Sequence, residues 1–173
     1  LGLSEAEMAV ARRAAALSKA DLATEMVVEM TSLQGVMGGH YAQRSGESAE
    51  VASALAELYN AVSHSRPSLA LALADRLDSL VGLFAAGLAP KGSNDPFALR
   101  RAALHLIENL ISNQVATDLR SMLRHAGSLL PMSSDEKTVN EVLAFIAGRL
   151  EGVLREKGYA TTLVKAVLAE LAH

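Results

Sequence analysis

Between Leu69 and Phe84, large apolar residues recur at Leu69, Leu73, Leu77, Leu80 and Phe84, every three or four positions. A stripe of that period lines one side of an α-helix and no face of a β-strand. It commits this stretch to a helix with one buried face, and the same period returns along most of the chain. Half of the 173 residues are apolar, only 3% are aromatic, and Val, Ile and Thr never alternate as in a strand. The expected fold is therefore all-α, with seven or eight helices joined by short connections in one domain. The length suits a single sizeable core.

On the side opposite the stripe, Asp75 and Asp78 stand three residues apart. They read either as a solvated face or as acceptors for a second element, as metal ligand or ion pair. A loop rich in Gly and Pro follows, from Gly87 through Pro90 and Gly92 to Asn94. Asp95 then reads as the cap of a helix starting at Pro96, where a missing N–H is harmless. Leu99, Ala103, Leu106, Ile107, Leu110 and Ile111 form its apolar arc, with Arg101, His105, Glu108 and Asn109 on the wet face. Arg100 falls inside the arc and needs an acceptor, for which Asp75 and Asp78 are the candidates.

Elsewhere the helical signals are of the same kind. Ser4 and Glu7 form a capping-box pattern before an Ala-rich helix that ends near Ser18. In the run from Lys19 to Gln43, Leu22, Met26, Met30, Leu33 and Met37 read as a core stripe, and a Met-rich binding groove is the alternative. Gly35, Gly38 and Gly39 either end that helix or admit a neighbouring backbone. Residues 48 to 62 read as a helix buried through Val51, Leu55, Leu58 and Val62. Gln114 to Leu130 reads as another, carrying Arg120 and Arg124 one turn apart, and Pro131 ends it. Ser133 or Ser134, with Glu136, reads as the cap of a long helix with Val139, Val142, Leu143, Ile146, Leu150, Val153 and Leu154 inside, stopped by Gly158. A last helix is expected over residues 160 to 172.

Several function classes have no support in the residues. There is no cysteine, hence no disulfide or thiolate metal site. No apolar run approaches the roughly 20 residues of a membrane span, and no signal segment opens the chain. The start at Leu1 reads as a domain cut from something longer. Phosphate-loop, dinucleotide, HExxH and GxSxG motifs are missing. His40, His64, His105, His125 and His173 are too scattered to place two ligands on one helix face. The net charge of −3 hides a gradient. Residues 1 to 85 hold 6 Lys/Arg against 10 Asp/Glu, whereas residues 86 to 130 hold 5 against 3. A basic surface is expected in the middle of the chain.

Three strings carry a family resemblance: KADLATEMVVEMTSLQGVMGGHYA, ALADRLDSLVGLFAAGLAPKGSNDPFALRRAAL and, more weakly, VNEVLAFIAGRLEGVLREKGYATTLVKAVLA. In order, from about Arg12 to Ala169, they resemble the central part of the β-type region of bacterial glycyl-tRNA synthetase. The resemblance implies an HD-domain-like helical bundle within a tetrameric or fused glycine–tRNA ligase. It also implies that the α-type region performs the ATP- and Mg-dependent chemistry, so that this fragment alone is inactive, holds no cofactor, and positions tRNA(Gly). Neighbouring β-region domains and the α-type region are the implied protein partners, with no membrane. The implied compartment is the bacterial cytoplasm, a chloroplast or a mitochondrion.

Compared with HD-type phosphohydrolases, the His-Asp pair falls at Ala20-Asp21 and a later histidine near Leu58, while the last aspartate is present as Asp75. Asp21 and Asp75 without imidazoles imply a degenerate site with no metal, residual hydrolase activity being the less favoured alternative. Lys91, Arg101, Arg120, Arg124, Arg44 and His40 are the candidates for contacting tRNA phosphates. A pure interdomain spacer is the competing reading.

Overall fold

The structure is a computed structural model and describes residues 1–170. The expected end of the last helix at residue 172, and His173, lie outside the described residues. Among the described residues there are nine α-helices, two 3-10 turns and no strand. The chain divides into two compact units, Leu1–Ala74 and Asp75–His173.

The first unit contains α1 (Glu5–Leu17), α2 (Glu25–Glu29), α3 (Val36–Arg44), α4 (Ala49–Glu57) and the start of α5 (Arg66–Ala85). The capping box at the start of α1 forms as expected: the Glu7 N–H donates to Ser4 Oγ and the Ser4 N–H to the Glu7 carboxylate. The core joins Ala14 of α1, Ala42 of α3, Val51, Ala52, Ala54 and Leu55 of α4, then Leu58 and Leu71. Small side chains on facing helices let them approach closely, and α3 against α4 is the extreme case. An ideal Cβ on Gly39 would lie 2.7 Å from the Ala52 carbonyl oxygen and 2.8 Å from Ala56 Cβ. Of the two roles open to the glycines, Gly39 admits the neighbouring backbone.

The run from Lys19 to Gln43 is not one helix. Lys19 turns into the left-handed region at φ 67°, Ala20–Ala23 and Thr31–Leu33 form 3-10 turns, and Gly35 at φ 77° precedes α3. Each turn restarts the helical register, so the spacing of Leu22, Met26 and Met30 no longer keeps them on one buried face. All three are exposed, while Val27 is buried. The division also raises the helix count above the seven or eight expected. The next helix stops at Glu57, leaving Val62 in the connection.

The second unit contains the rest of α5, then α6 (Leu99–Ser112), α7 (Leu119–Ser128), α8 (Glu136–Glu156) and α9 (Thr161–Glu170). Helix α8 packs against α6, α7 and α9. The largest fully enclosed side chains here are Leu80, Val81, Leu99, Leu106, Leu123 and Val142. Phe84 of α5 meets Phe145 of α8 with ring centroids 5.3 Å apart and planes at 60°, and the Arg149 guanidinium lies 5.5 Å from the Phe145 ring centre.

Three boundaries in this unit differ from the periodicity. Helix α6 begins at Leu99, not Pro96, because Ala98 adopts φ 52°. Gln114, at φ 53°, follows the end of α6, so α7 begins only at Leu119, where Asp118 caps it by accepting from the Ser121 N–H. Asp135 rather than Ser133 or Ser134 caps α8, accepting from the Thr138 N–H at 2.8 Å. Gly158, at φ 90°, follows α8 as expected. Asn109 is fully buried rather than on the wet face of α6, its amide donating to the His105 carbonyl at 2.8 Å, and Ile111 is the exposed residue.

Candidate nucleic-acid interface

The loop between α5 and α6 is short of side chains but well supplied with backbone bonds. Lys91 and Asn94 exchange N–H···O bonds of 3.2 and 2.9 Å, closing a tight turn with Gly92 at φ 54°. Asp95 then anchors the loop to α6. Its two carboxylate oxygens accept from the Leu99 and Arg100 N–H groups, each at 2.9 Å. The aspartate thus serves the orphan amides at the helix start, from three residues further back than the sequence places it. Ala98, between them, is held in a left-handed conformation that an alanine adopts only at a cost of about 1–2 kcal/mol.

Arg100 finds its acceptors in this same loop. Its guanidinium pairs with Asp95 at 3.8 Å and donates to the Gly92 carbonyl. The expected partnership with Asp75 or Asp78 is not formed, because the turn brings a nearer carboxylate and carbonyl under the side chain. Asp78 is exposed and Asp75 half-buried. Lys91 and Arg101 are exposed, and their side chains have no hydrogen-bond or ion-pair partner among the described residues.

One turn beyond Arg101, His105 is half-buried, with its Nδ1 3.5 Å from Nη2 of the buried Arg76. Burial first, then the charges of Arg76 and Arg101, holds the imidazole pKa below the usual histidine value. A neutral ring facing a guanidinium presents its Nδ1 lone pair there, which leaves the proton on Nε2.

Arg120 and Arg124 are less available. Both grip Glu136 in the first turn of α8. Arg120 Nη1 donates at 2.9 Å, and Arg124 donates through Nε and Nη2 at 2.9 and 2.8 Å. Arg120 also donates to Asn140 Oδ1 at 2.6 Å. Glu136 therefore ties α7 to α8, and does not complete a capping box. Bonds from Arg124 and then Arg120 hold its carboxylate below the ordinary value of 4.5. A carboxylate with a lowered folded-state pKa stabilises the fold above its unfolded value, and the contribution disappears as pH falls through the folded value. Glu136→Gln is accordingly expected to lower the melting temperature slightly at pH 7, with the difference shrinking below pH 4.5 and at high salt. Thermal melts across pH and salt check this.

In the first unit, His40 and Arg44 lie on α3, exposed, His40 beside a shallow groove bordered by Val36, Gln43, Ala49 and Ser53. Asp21 is only 4% exposed, and its Oδ2 accepts from the Gly35 N–H at 2.6 Å. This carboxylate holds the entry to α3. Among the described residues, no three His, Asp or Glu side chains gather as a metal site.

A sequence profile described as glycyl-tRNA synthetase beta subunit matches residues 2–169. The chain belongs to this family. It is 43% identical over 166 residues to the glycine–tRNA ligase beta subunit of Serratia proteamaculans, covering 92% of this chain and 24% of that protein. It is 42% identical over 171 residues to the Haemophilus influenzae beta subunit, covering 95% and 25%. The Arabidopsis thaliana glycine–tRNA ligase, chloroplastic/mitochondrial 2, is 39% identical over 176 residues, covering 98% and 16%. The chain thus spans a quarter or less of the length of these relatives. Bacterial glycine–tRNA ligase beta subunits and a chloroplastic/mitochondrial glycine–tRNA ligase thus both resemble it, and no helix among its described residues is long and apolar enough to cross a membrane.

For a glycyl-tRNA synthetase beta subunit segment, the four basic candidates of the second unit thus sort into two groups. Lys91 and Arg101 flank one ordered loop with their charges free, whereas Arg120 and Arg124 share a carboxylate. Helical periodicity does not nominate Phe97 at all. It belongs to no apolar stripe, and its place two residues past Asp95 and three before Arg100 is the signal available for it.

Proposed function

We propose that this chain is a tRNA-positioning domain of a glycine–tRNA ligase, without catalytic residues of its own, and that the loop before α6 meets the RNA backbone. Family membership supports the ligase context. The observation that carries the interface is a pair of cations without a partner among the described residues, Lys91 in the loop and Arg101 in the first turn of α6, beside a loop carboxylate that is already engaged. Phosphates recruit such charges with release of counterions, so binding falls steeply with salt. The α-type region and the remaining β-region domains are the proposed partners, in a bacterial or organellar compartment, with ATP and Mg confined to the catalytic region.

The test is tRNA(Gly) affinity of the complete ligase against salt. Lys91→Glu with Arg101→Glu is expected to weaken binding roughly tenfold or more at low salt, and to flatten the salt slope by about 1 for each phosphate no longer neutralised. Unchanged affinity and slope would refute this interface. A spacer role is the second reading, favoured by the Arg120–Glu136–Arg124 clamp, in which two candidate arginines already hold helices together. The residual hydrolase reading is weaker, because the Asp21 carboxylate serves the Gly35 amide.

A further inference from the structure

We infer that Phe97 is a stacking platform for an unpaired nucleotide of the RNA, an inference that rests on the tRNA-positioning reading. The chain has three phenylalanines, and the other two, Phe84 and Phe145, pack on each other within the second unit. Phe97 instead is 48% exposed, in the turn two residues before the start of α6. About half of Phe97 is open to solvent, which leaves part of the ring able to take a partner.

The backbone beneath the ring is fixed. Asp95 binds the Leu99 and Arg100 amides, the Ala98 N–H donates to the Asp95 carbonyl at 3.1 Å, and Ala98 is locked at φ 52°. Strain of this kind persists only where surrounding bonds enforce it, and it collects at binding sites. The ring is thus presented by an ordered frame, with little conformational entropy left to lose on binding.

Its surroundings select the occupant. From Leu88 to Arg101 the chain carries Lys91, Arg100 and Arg101 against Asp95 alone. Asp95 is consumed by two amides and Arg100, so the net positive charge is carried by Lys91 and Arg101. A half-exposed aromatic ring on a segment of net positive charge matches a nucleotide, whose base stacks while its phosphate meets the charge. An uncharged apolar peptide would leave those cations unused. Bases paired in a helix cannot offer a free face, so the occupant is an unpaired nucleotide at the 3′ end or in a loop of the tRNA.

The experiment uses the complete ligase and tRNA(Gly) carrying 2-aminopurine, placed in turn at the unpaired 3′ end and in each loop. Binding is expected to quench the probe at one of these positions. Phe97→Leu, which keeps apolar bulk without a π face, and Phe97→Ala should each lose that quench and weaken binding about tenfold, while Phe97→Tyr should retain both. Melting temperatures should fall little, since only half of the side chain is buried, and least for Phe97→Leu, which keeps most of that contact. If Lys91→Glu/Arg101→Glu weakens binding but Phe97→Leu does not, the stacking inference is wrong and the positioning reading stands. If neither weakens it, both fall. A Phe97→Leu enzyme that loses subunit assembly while retaining tRNA affinity would assign the ring to a protein interface and overturn the inference.

Discussion

Gly39→Val is expected to destabilise the first unit by about 3 kcal/mol or more, among the largest effects of any single substitution in the chain. The atoms in the way are the Ala52 carbonyl oxygen and Ala56 Cβ, at 2.7 and 2.8 Å from where a new Cβ would stand. Neither is the end of a flexible side chain, so α3 and α4 must separate to make room. Separation opens gaps around Ala42, Ala52 and Leu55, which are all buried. Gly148→Ala is the matched control. It lies within α8 with nothing within 4 Å of its would-be Cβ, and alanine there is expected to be neutral or stabilising by up to about 1 kcal/mol. Urea unfolding of the two variants measures the difference, and equal midpoints would contradict the close crossing of α3 and α4.

The second large effect is expected at Asp21. Asp21→Ala removes the acceptor of the Gly35 N–H from a site almost closed to water, leaving a buried donor unsatisfied beside a small void. The expected loss is about 2–3 kcal/mol, the range for a charged acceptor with a buried partner. Asp21→Asn keeps an oxygen at the same place and should lose clearly less. An Ala variant as stable as the parent would remove the structural role of Asp21 and reopen the question of what this aspartate is for. The same pair of variants also separates a fold-holding carboxylate from a ligand remnant, because ligand loss would not appear in unfolding measured in a metal chelator.

How much of this was legible in the residues depends on the scale of the interaction. Helix type was legible throughout, because a 3.6-residue apolar period survives any packing arrangement, as Leu69 to Leu80 shows. Helix boundaries were not, because they are decided by single backbone conformations. Lys19, Ala98 and Gln114 all adopt positive φ without being glycine, and no local residue signals it. The exposure of Leu22, Met26 and Met30 follows from the same cause. Their spacing is helical, but the 3-10 turns between them spread the stripe over several directions.

At the candidate interface, the choice of basic residues was legible and their availability was not. Arg120 and Arg101 look alike in sequence, since each is an arginine on the polar side of a helix. Only folding places Glu136 and Asn140 as acceptors beside the first, while no side-chain acceptor binds the second among the described residues. Arg100 shows the same limit. Its need for an acceptor could be read from the apolar arc, whereas the identity of that acceptor depended on a turn that no periodicity describes.

The carboxylate of Asp95 has one more effect. The amides at the start of a helix ordinarily attract anions unaided, yet here two of them are already saturated by an internal negative charge. A polyanion arriving at α6 therefore meets long, mobile side chains instead of a rigid amide cradle. Such attachments form quickly, slide, and release readily as ionic strength rises. On the proposed reading, such a surface would hold a large polyanion while another part of the assembly works on it, then let it go.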